Sequence, residues 1–205
     1  MNDVKADAKN SRKDYAKLIF INASKSIIKS DGVSHVTARR IAEMTGYSYT
    51  SFYHYFSDMD DLLLNTKLDM IRDMVNESIE KEKTIQAADP LQRIKAKARF
   101  PIDYFMDNPN IFGFFYLYKM DERNITAMRS LEIEKAYRDD FLPFTEKGTI
   151  KHSDIPAIAR TILYAVYGMI TLCLSNNGLT KEDVYHDMDE MIDLLLKGDK
   201  NNENP

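Results

Sequence analysis

The chain has 205 residues and a formal net charge of −4, long enough to bury a core and to divide into one or two domains. Its single cysteine, Cys173, excludes an internal disulfide framework; it suits a reducing cytoplasm and, in an apolar run, reads as a buried, inert thiol. The N-terminal stretch MNDVKADAKNSRKD lacks the apolar region of a signal peptide, and the longest apolar run, Ile155 to Leu174, is interrupted by Arg160, Tyr164 and Tyr167, so no bilayer span is expected.

Residues 1–11 are polar and predicted to fray. A first helix is predicted from about Arg12 to Ser30, where Tyr15, Leu18/Ile19, Asn22/Ala23 and Ser26/Ile27 recur at helical spacing. Asp31-Gly32 stops it. Val36 to Leu62 then reads VTARRIAEMTGYSYTSFYHYFSDMDDL. Thr37 is a good N-cap, with Val36 and Ile41 at the two positions of a hydrophobic staple. Gly46 ends this helix in a conformation that costs glycine little. Two residues on the pattern repeats: Ser48 caps, Tyr47 and Phe52 staple, and Phe52 and Phe56 share a buried face. A plain helical hairpin would look similar. The second helix, however, exposes Tyr49, Thr50, Ser51, Tyr53 and His54, with no acid between Glu43 and Asp58. Hydroxyls and phenols suit phosphates and base edges, and carboxylates would be repelled. The segment reads as a helix-turn-helix.

A long amphipathic helix is predicted from about Asp58 to Lys83, with Leu64, Leu68, Ile71, Val75 and Ile79 as its buried stripe. Asp58, Asp60 and Asp61 complement its N-terminus. Asp89-Pro90 opens the next helix, in which Leu91, Ile94, Ala98, Ile102 and Phe105 face a core; Pro101 inside it should bend or split it. Asn108-Pro109 ends it. Residues 111–120, IFGFFYLYKM, are the most aromatic stretch. A charged helix is predicted over about Ile125 to Leu142, stopped by Pro143. After a loop with Gly148, Ser153 or Asp154 caps a helix from Ile155 to about Ser175 that is apolar nearly all round and therefore expected to be buried on several sides. Thr180 and Asp183 form a capping-box start for a last helix carrying Val184, Met188, Met191, Ile192 and Leu195, stopped by Gly198. Residues 1–57 hold nine Lys/Arg against five Asp/Glu, and the rest nineteen against twenty-seven. A basic head on an acidic body fits local contact with nucleic acid.

Catalytic patterns are missing from the sequence. The glycines are isolated, so there is no phosphate-cradling loop, and neither Gly-x-Ser-x-Gly nor His-Glu-x-x-His occurs. His35, His54, His152 and His186 are scattered. His186 and Glu190, with Asp187 and Asp189 nearby, read as a solvated acidic face rather than a metal site. No catalytic residue, metal or cofactor is expected.

Thr37, Arg39, Ile41-Ala42, Gly46, Ser48, Tyr53, Phe56 and Leu62 reproduce the Thr-x-Arg-x-Ile-Ala start, Gly-x-Ser turn and Tyr-x-x-Phe close of the TetR family of bacterial transcriptional regulators. The resemblance is strong over the first third of the chain and architectural beyond it. The chain departs from the pattern at Met59, where a phosphate-reaching lysine is usual, at Tyr49, where a basic or small residue is common, and at Thr50, where Gly, Ala or Pro is usual. Those departures bear on operator sequence and affinity, not on the fold. The resemblance implies about nine helices, a two-fold homodimer built on the last two, and repression relieved by a small molecule.

The resulting expectation is an all-α protein: a three-helix head with a helix-turn-helix over residues 10–57, and a helical effector-binding and dimerisation domain over 58–198. Thr37, Arg39, Ser48, Tyr49, Thr50, Ser51, Tyr53 and His54 should form the surface for double-stranded, near-palindromic DNA, with Tyr49 and Thr50 at base edges and Thr37, Arg39, Tyr53 and His54 on phosphates. Tyr104, Phe105, Phe112, Phe115, Tyr116, Tyr118, Tyr164 and Tyr167, with Met106, Met120 and Met169, should line a pocket for a hydrophobic or aromatic effector. Ala159, Ala165, Gly168, Met188, Met191 and Leu195 should meet a second copy of the chain. The competing reading is an all-α small-molecule-binding protein or enzyme that does not bind DNA.

Overall fold

The computed structural model describes residues 2–86, 89–120 and 133–197, and every regular element among them is helical. In chain order these are α1 (Asn2–Asp31), α2 (Ala38–Thr45), α3 (Tyr49–Phe52), α4 (Met59–Glu82), α5 (Pro90–Asp107), α6 (Pro109–Phe112) continued by a π turn (Gly113–Leu117), α7 (Ile133–Glu146), α8 (Ile155–Leu174) and α9 (Lys181–Lys197). The chain divides into two compact units. The first holds the described residues up to Asn76 together with Asn108 to Met120; the second holds Glu77–Asp107 and the described residues from Ile133 on. Residues 10–57 all lie in the first unit, whose boundary falls inside α4 and which also takes in the α6 segment.

In the first unit, Phe20 is fully buried and its ring lies 5.1 Å from Tyr47, 6.0 Å from Phe52, 5.5 Å from Tyr55 and 6.1 Å from Phe56, centroid to centroid. Such tilted and edge-on rings add to the burial of apolar area. The buried face of α1 is Ala16, Phe20, Ala23/Ser24 and Ile27/Ile28. It is rotated from the expected one: Tyr15 and Leu18 lie in solvent. The helix also begins at Asn2 instead of fraying. Asn110 of α6 donates to the carbonyls of Lys29 and Ser30, both at 3.2 Å, so α6 satisfies the orphan acceptors at the end of α1. In α4 the buried positions are Leu62, Leu63, Thr66, Lys67, Met70 and Ile71. Of the expected stripe only Ile71 is buried, and Val75 and Ile79 are exposed. Asp58 caps this helix, accepting from the Asp61 amide at 2.8 Å.

In the second unit α9 buries Val184, Met188, Ile192 and Leu196, one residue per helical turn. Its N-terminus is a reciprocal capping box. The Thr180 amide donates to the Asp183 carboxylate at 2.8 Å and the Asp183 amide to the Thr180 hydroxyl at 3.2 Å. The Thr180 hydroxyl, which donates to the same carboxylate at 2.7 Å, and then the Thr180 amide hold the Asp183 carboxyl below its usual range. Antiparallel α5 and α9 are registered by charge: Lys95 meets Asp193 at 2.6 Å, Arg99 meets Asp189 at 2.8 Å, and Asp103 meets Lys181 at 2.7 Å and the Tyr185 hydroxyl. The rungs step four residues along α5 and about four back along α9, one turn each. Lys95 is buried and most of the other partners are half-buried, and together the pairs disfavour other registers.

Pro143, expected to end its helix, does not, and Pro101, expected to bend or split its helix, does not split it. Pro101 lies inside α5 and Pro143 inside α7. Each removes one ladder hydrogen bond, while Ile102 and Phe105 after Pro101, and Phe141 and Phe144 around Pro143, are buried and hold the turns in place. The expected helix start near Ile125 lies outside the described residues. The helix α8 is long and apolar enough, with the turn before it, to cross a membrane by length and composition alone, because Arg160 is its only charge. It is not buried on several sides. Only Ile155, Ile162, Val166 and Ile170 are buried, while Ala157, Thr161, Tyr164, Gly168 and Leu172 form an exposed face one turn apart.

Candidate nucleic-acid interface

The local geometry of residues 36–56 follows from its caps. Thr37 has extended backbone and its hydroxyl accepts from the Arg40 amide at 3.2 Å. Ile41 and Val36 are both buried, as a staple requires. Gly46 closes α2 at φ 74°, with its amide on the Ala42 carbonyl, a left-handed position where a side chain would be strained. Ser48 then caps α3, accepting from the Ser51 amide at 3.1 Å. Fully buried Phe52 and nearly buried Phe56 stack at 5.6 Å, which leaves the opposite edge of α3 in water.

That exposed edge is built from hydroxyls. Tyr49 and Tyr53 are 53% and 50% exposed. Their hydroxyl oxygens lie 2.9 Å apart, with the rings edge to face at 5.4 Å. The hydrogen bond between Tyr49 and Tyr53 raises the Tyr53 phenol above its ordinary range. Ser48 Oγ also lies 2.9 Å from Thr50 Oγ1 and 2.7 Å from Ser51 Oγ. His54 is exposed at the end of the helix. On α2, the exposed Arg39 forms an i,i+4 pair with Glu43 at 3.0 Å, a contact readily exchanged for a phosphate. Arg40 is engaged with Asp31, and this contact holds the Asp31 carboxyl below its usual range. All eight residues expected at a DNA surface thus lie on the capped α2-turn-α3 segment, and Thr37 and Ser48 also spend their hydroxyls on caps.

The rings expected to line one effector pocket fall in two groups. Phe112, Phe115, Tyr116 and Tyr118 belong to the first unit; Tyr104, Phe105, Tyr164 and Tyr167 belong to the second. Phe105 meets Tyr167 at 6.1 Å, but Tyr164 is 66% exposed. The second unit instead holds a small apolar cavity of about 20 Å³ lined by Ile94, Ala98, Pro101, Phe141, Ala159, Ile162, Leu163 and Val166. In sequence these residues are indistinguishable from core, because the wall of a small cavity obeys the same periodicity. Of the six residues expected to meet a second copy, Met188 is fully buried within the single chain and Ala159 lines this cavity. Gly168 is exposed, and Ala165, Met191 and Leu195 are half-buried. Leu194, not anticipated, is 80% exposed on α9. Among the described residues no cluster of His, Cys, Asp and Glu could hold a metal.

Lys67 was invisible to pattern reading. It is 3% exposed, and its ammonium donates to the carbonyls of Phe115 at 2.7 Å and Phe114 at 3.4 Å, with both rings within 5.8 Å. It satisfies the carbonyl end of the π turn from α4, and burial lowers its pKa to about 8. A lysine at a position that keeps step with Leu63 and Met70 was the available signal.

Residues 20–66 match the family model for bacterial regulatory proteins, tetR family. No curated protein matches the chain. Solved structures share its fold. A TetR-family transcriptional regulator from Syntrophomonas wolfei has a TM-score of 0.68 at 17% identity, covering 94% of this chain and 99% of that one. FadR of Thermus thermophilus, a TetR-family transcriptional repressor in complex with lauroyl-CoA, has 0.65 at 16%, covering 92% and 97%. RolR in complex with resorcinol has 0.63 at 20%, covering 88% and 89%.

Proposed function

We propose that the chain is a TetR-family regulator, a sequence-specific repressor released from DNA by a small hydrophobic effector; the match of residues 20–66 to the model for bacterial regulatory proteins, tetR family, and the shared fold support this reading. The observation that carries the DNA-binding part is the α3 edge. Its exposed tip offers phenols, hydroxyls and His54 with no carboxylate, and α2 adds the exposed Arg39, paired with Glu43. Donors without competing acids are what phosphates and base edges accept. Residues 10–57 are the DNA-binding head on this reading, and the chain acts by binding, without catalysis, in the cytoplasm where the DNA is.

The effector is proposed to enter the second unit at the apolar cavity between α5, α7 and α8, widening it as it binds. The cavity's all-hydrocarbon lining favours an apolar group. Two neighbours in fold were solved with lauroyl-CoA and resorcinol, which supports a small-molecule effector without naming this one. The homodimer is proposed on the exposed face Tyr164, Gly168 and Leu172 of α8 with Leu194 of α9, apolar surface that a single chain leaves in water. The helix α4 contributes residues to both units and is the proposed route of coupling. Effector and DNA then weaken each other by the same factor.

The test is fluorescence anisotropy with a duplex selected from a random library, followed by titration of hydrophobic compounds that raise the protein's melting temperature. Compounds that stabilise the protein and release the duplex support the reading. Stabilising compounds that leave DNA affinity untouched refute the coupling.

A further inference from the structure

We propose that Tyr49 and Tyr53 act on DNA as one hydroxyl relay that donates a single hydrogen bond to a phosphate, so that Tyr49 is a positioning and affinity residue rather than a reader of bases. The proposal rests on the DNA-binding reading above. Two phenols bring two O–H protons. One is consumed between the two oxygens, which lie 2.9 Å apart, leaving one to point outward. A phenol oxygen already engaged in this way has less freedom to seek a base edge, and the edge-to-face ring contact fixes the direction of the pair. The hydrogen bond also strengthens the outward donor, because chains of hydrogen bonds polarise one another. One turn of helix separates the two residues, so the pair is built into the local geometry of α3.

The neighbouring hydroxyls point the same way. Ser48 is held by its cap on the Ser51 amide and by contacts to Thr50 and Ser51. At the tip of α3 the hydroxyl protons are largely exchanged among themselves, and the tyrosine relay is the longest-reaching donor left. A neutral donor to a phosphate oxygen is indifferent to sequence and displaces no counterion of its own.

The experiment is a double-mutant cycle with Tyr49→Phe, Tyr53→Phe and the double variant. It is read by anisotropy on the best duplex selected from a random library and on a scrambled duplex of the same length, at two salt concentrations. Both residues are half exposed, so the variants keep their fold; melting temperatures check this. Replacing the phenol that carries the outward proton is expected to weaken binding by about 5–10-fold, the worth of one net hydrogen bond, and replacing its partner by less, because the remaining phenol keeps its own O–H. The double variant should lose about the same as the more damaging single one. The losses should be equal on both duplexes, with an unchanged salt slope. Multiplied losses in the double variant would overturn the relay. So would a loss from Tyr49→Phe confined to the selected duplex, which would make Tyr49 a base reader. Failure of the unmodified protein to bind either duplex would instead overturn the DNA-binding reading.

Discussion

Replacing Lys67 by Met should change how the protein's stability depends on pH. Lys67 is 3% exposed, has two backbone carbonyls as its polar contacts, and carries a pKa of about 8 in the folded state against an ordinary 10.5. Between those two values the unfolded chain holds the proton and the folded chain does not. Folding stability therefore rises with pH across that window as far as this group is concerned. The drop in pKa corresponds to roughly 3 kcal/mol at most, gained between about pH 8 and 10. Lys25, Lys97 and Lys181, whose carboxylate partners raise their pKa values, act in the opposite sense: their contributions are present below the ordinary value and lost as pH rises through the folded one. The difference between the unmodified protein and Lys67→Met cancels them. Urea denaturation at pH 7, 8, 9 and 10 on both proteins gives that difference. The variant should lack the alkaline gain, and the two stability curves should diverge upward by up to about 3 kcal/mol from pH 8 to pH 10. Parallel curves would mean that the carbonyls and the two phenylalanine rings hold the ammonium charged, and that burial does not govern it.

Gly46→Ala should destabilise the protein by about 1–2 kcal/mol, measured by urea denaturation, purely through its left-handed backbone: no neighbouring atom lies within 4 Å of the added methyl. Gly168→Arg and Leu194→Glu should each halve the mass seen by light scattering at micromolar concentration; both sites are exposed in the single chain, so their melting curves should stay cooperative. Asp183→Asn should flatten the acid limb of the stability profile. The Asp183 carboxyl lies below its ordinary value because it accepts from Thr180, so its contribution is present above the unfolded value and lost as pH falls through the folded one.

The helix-turn-helix was legible because its punctuation is chemical. Thr37, Gly46 and Ser48 are residues whose side chains, or lack of one, specify caps and a left-handed turn, and the structure places each at that position. The Thr180–Asp183 box was legible for the same reason. Burial was less so. On α1, Tyr15 and Leu18, three residues apart, fit helical spacing as well as Ala16 and Phe20, four apart, so the helix could be rotated either way until Phe20 found the rings of Tyr47, Phe52 and Phe56. Pro143 does not stop its helix and Pro101 does not split its own, because the cost of one missing hydrogen bond is local, whereas the packing that outweighs it comes from distant residues. The eight aromatic residues counted toward one pocket are divided between two units, and sequence has no term for which unit a ring will join. Lys67 stayed hidden because the carbonyls that receive it lie 47 and 48 residues away.

DNA recognition itself is open to direct measurement. The 205-residue chain is incubated with a random duplex library at physiological salt, bound duplexes are sequenced after successive rounds, and affinity for the enriched sequence is compared with that for its scrambled form. Two heads in a two-fold dimer predict a near-palindrome, with half-sites about one helical turn apart or more. Binding to the enriched sequence should be on the order of 10³-fold tighter or more, and it should weaken as salt is raised. Retention of no duplex, or equal affinity for enriched and scrambled sequences, would contradict the assignment of α2 and α3 as a sequence-reading element.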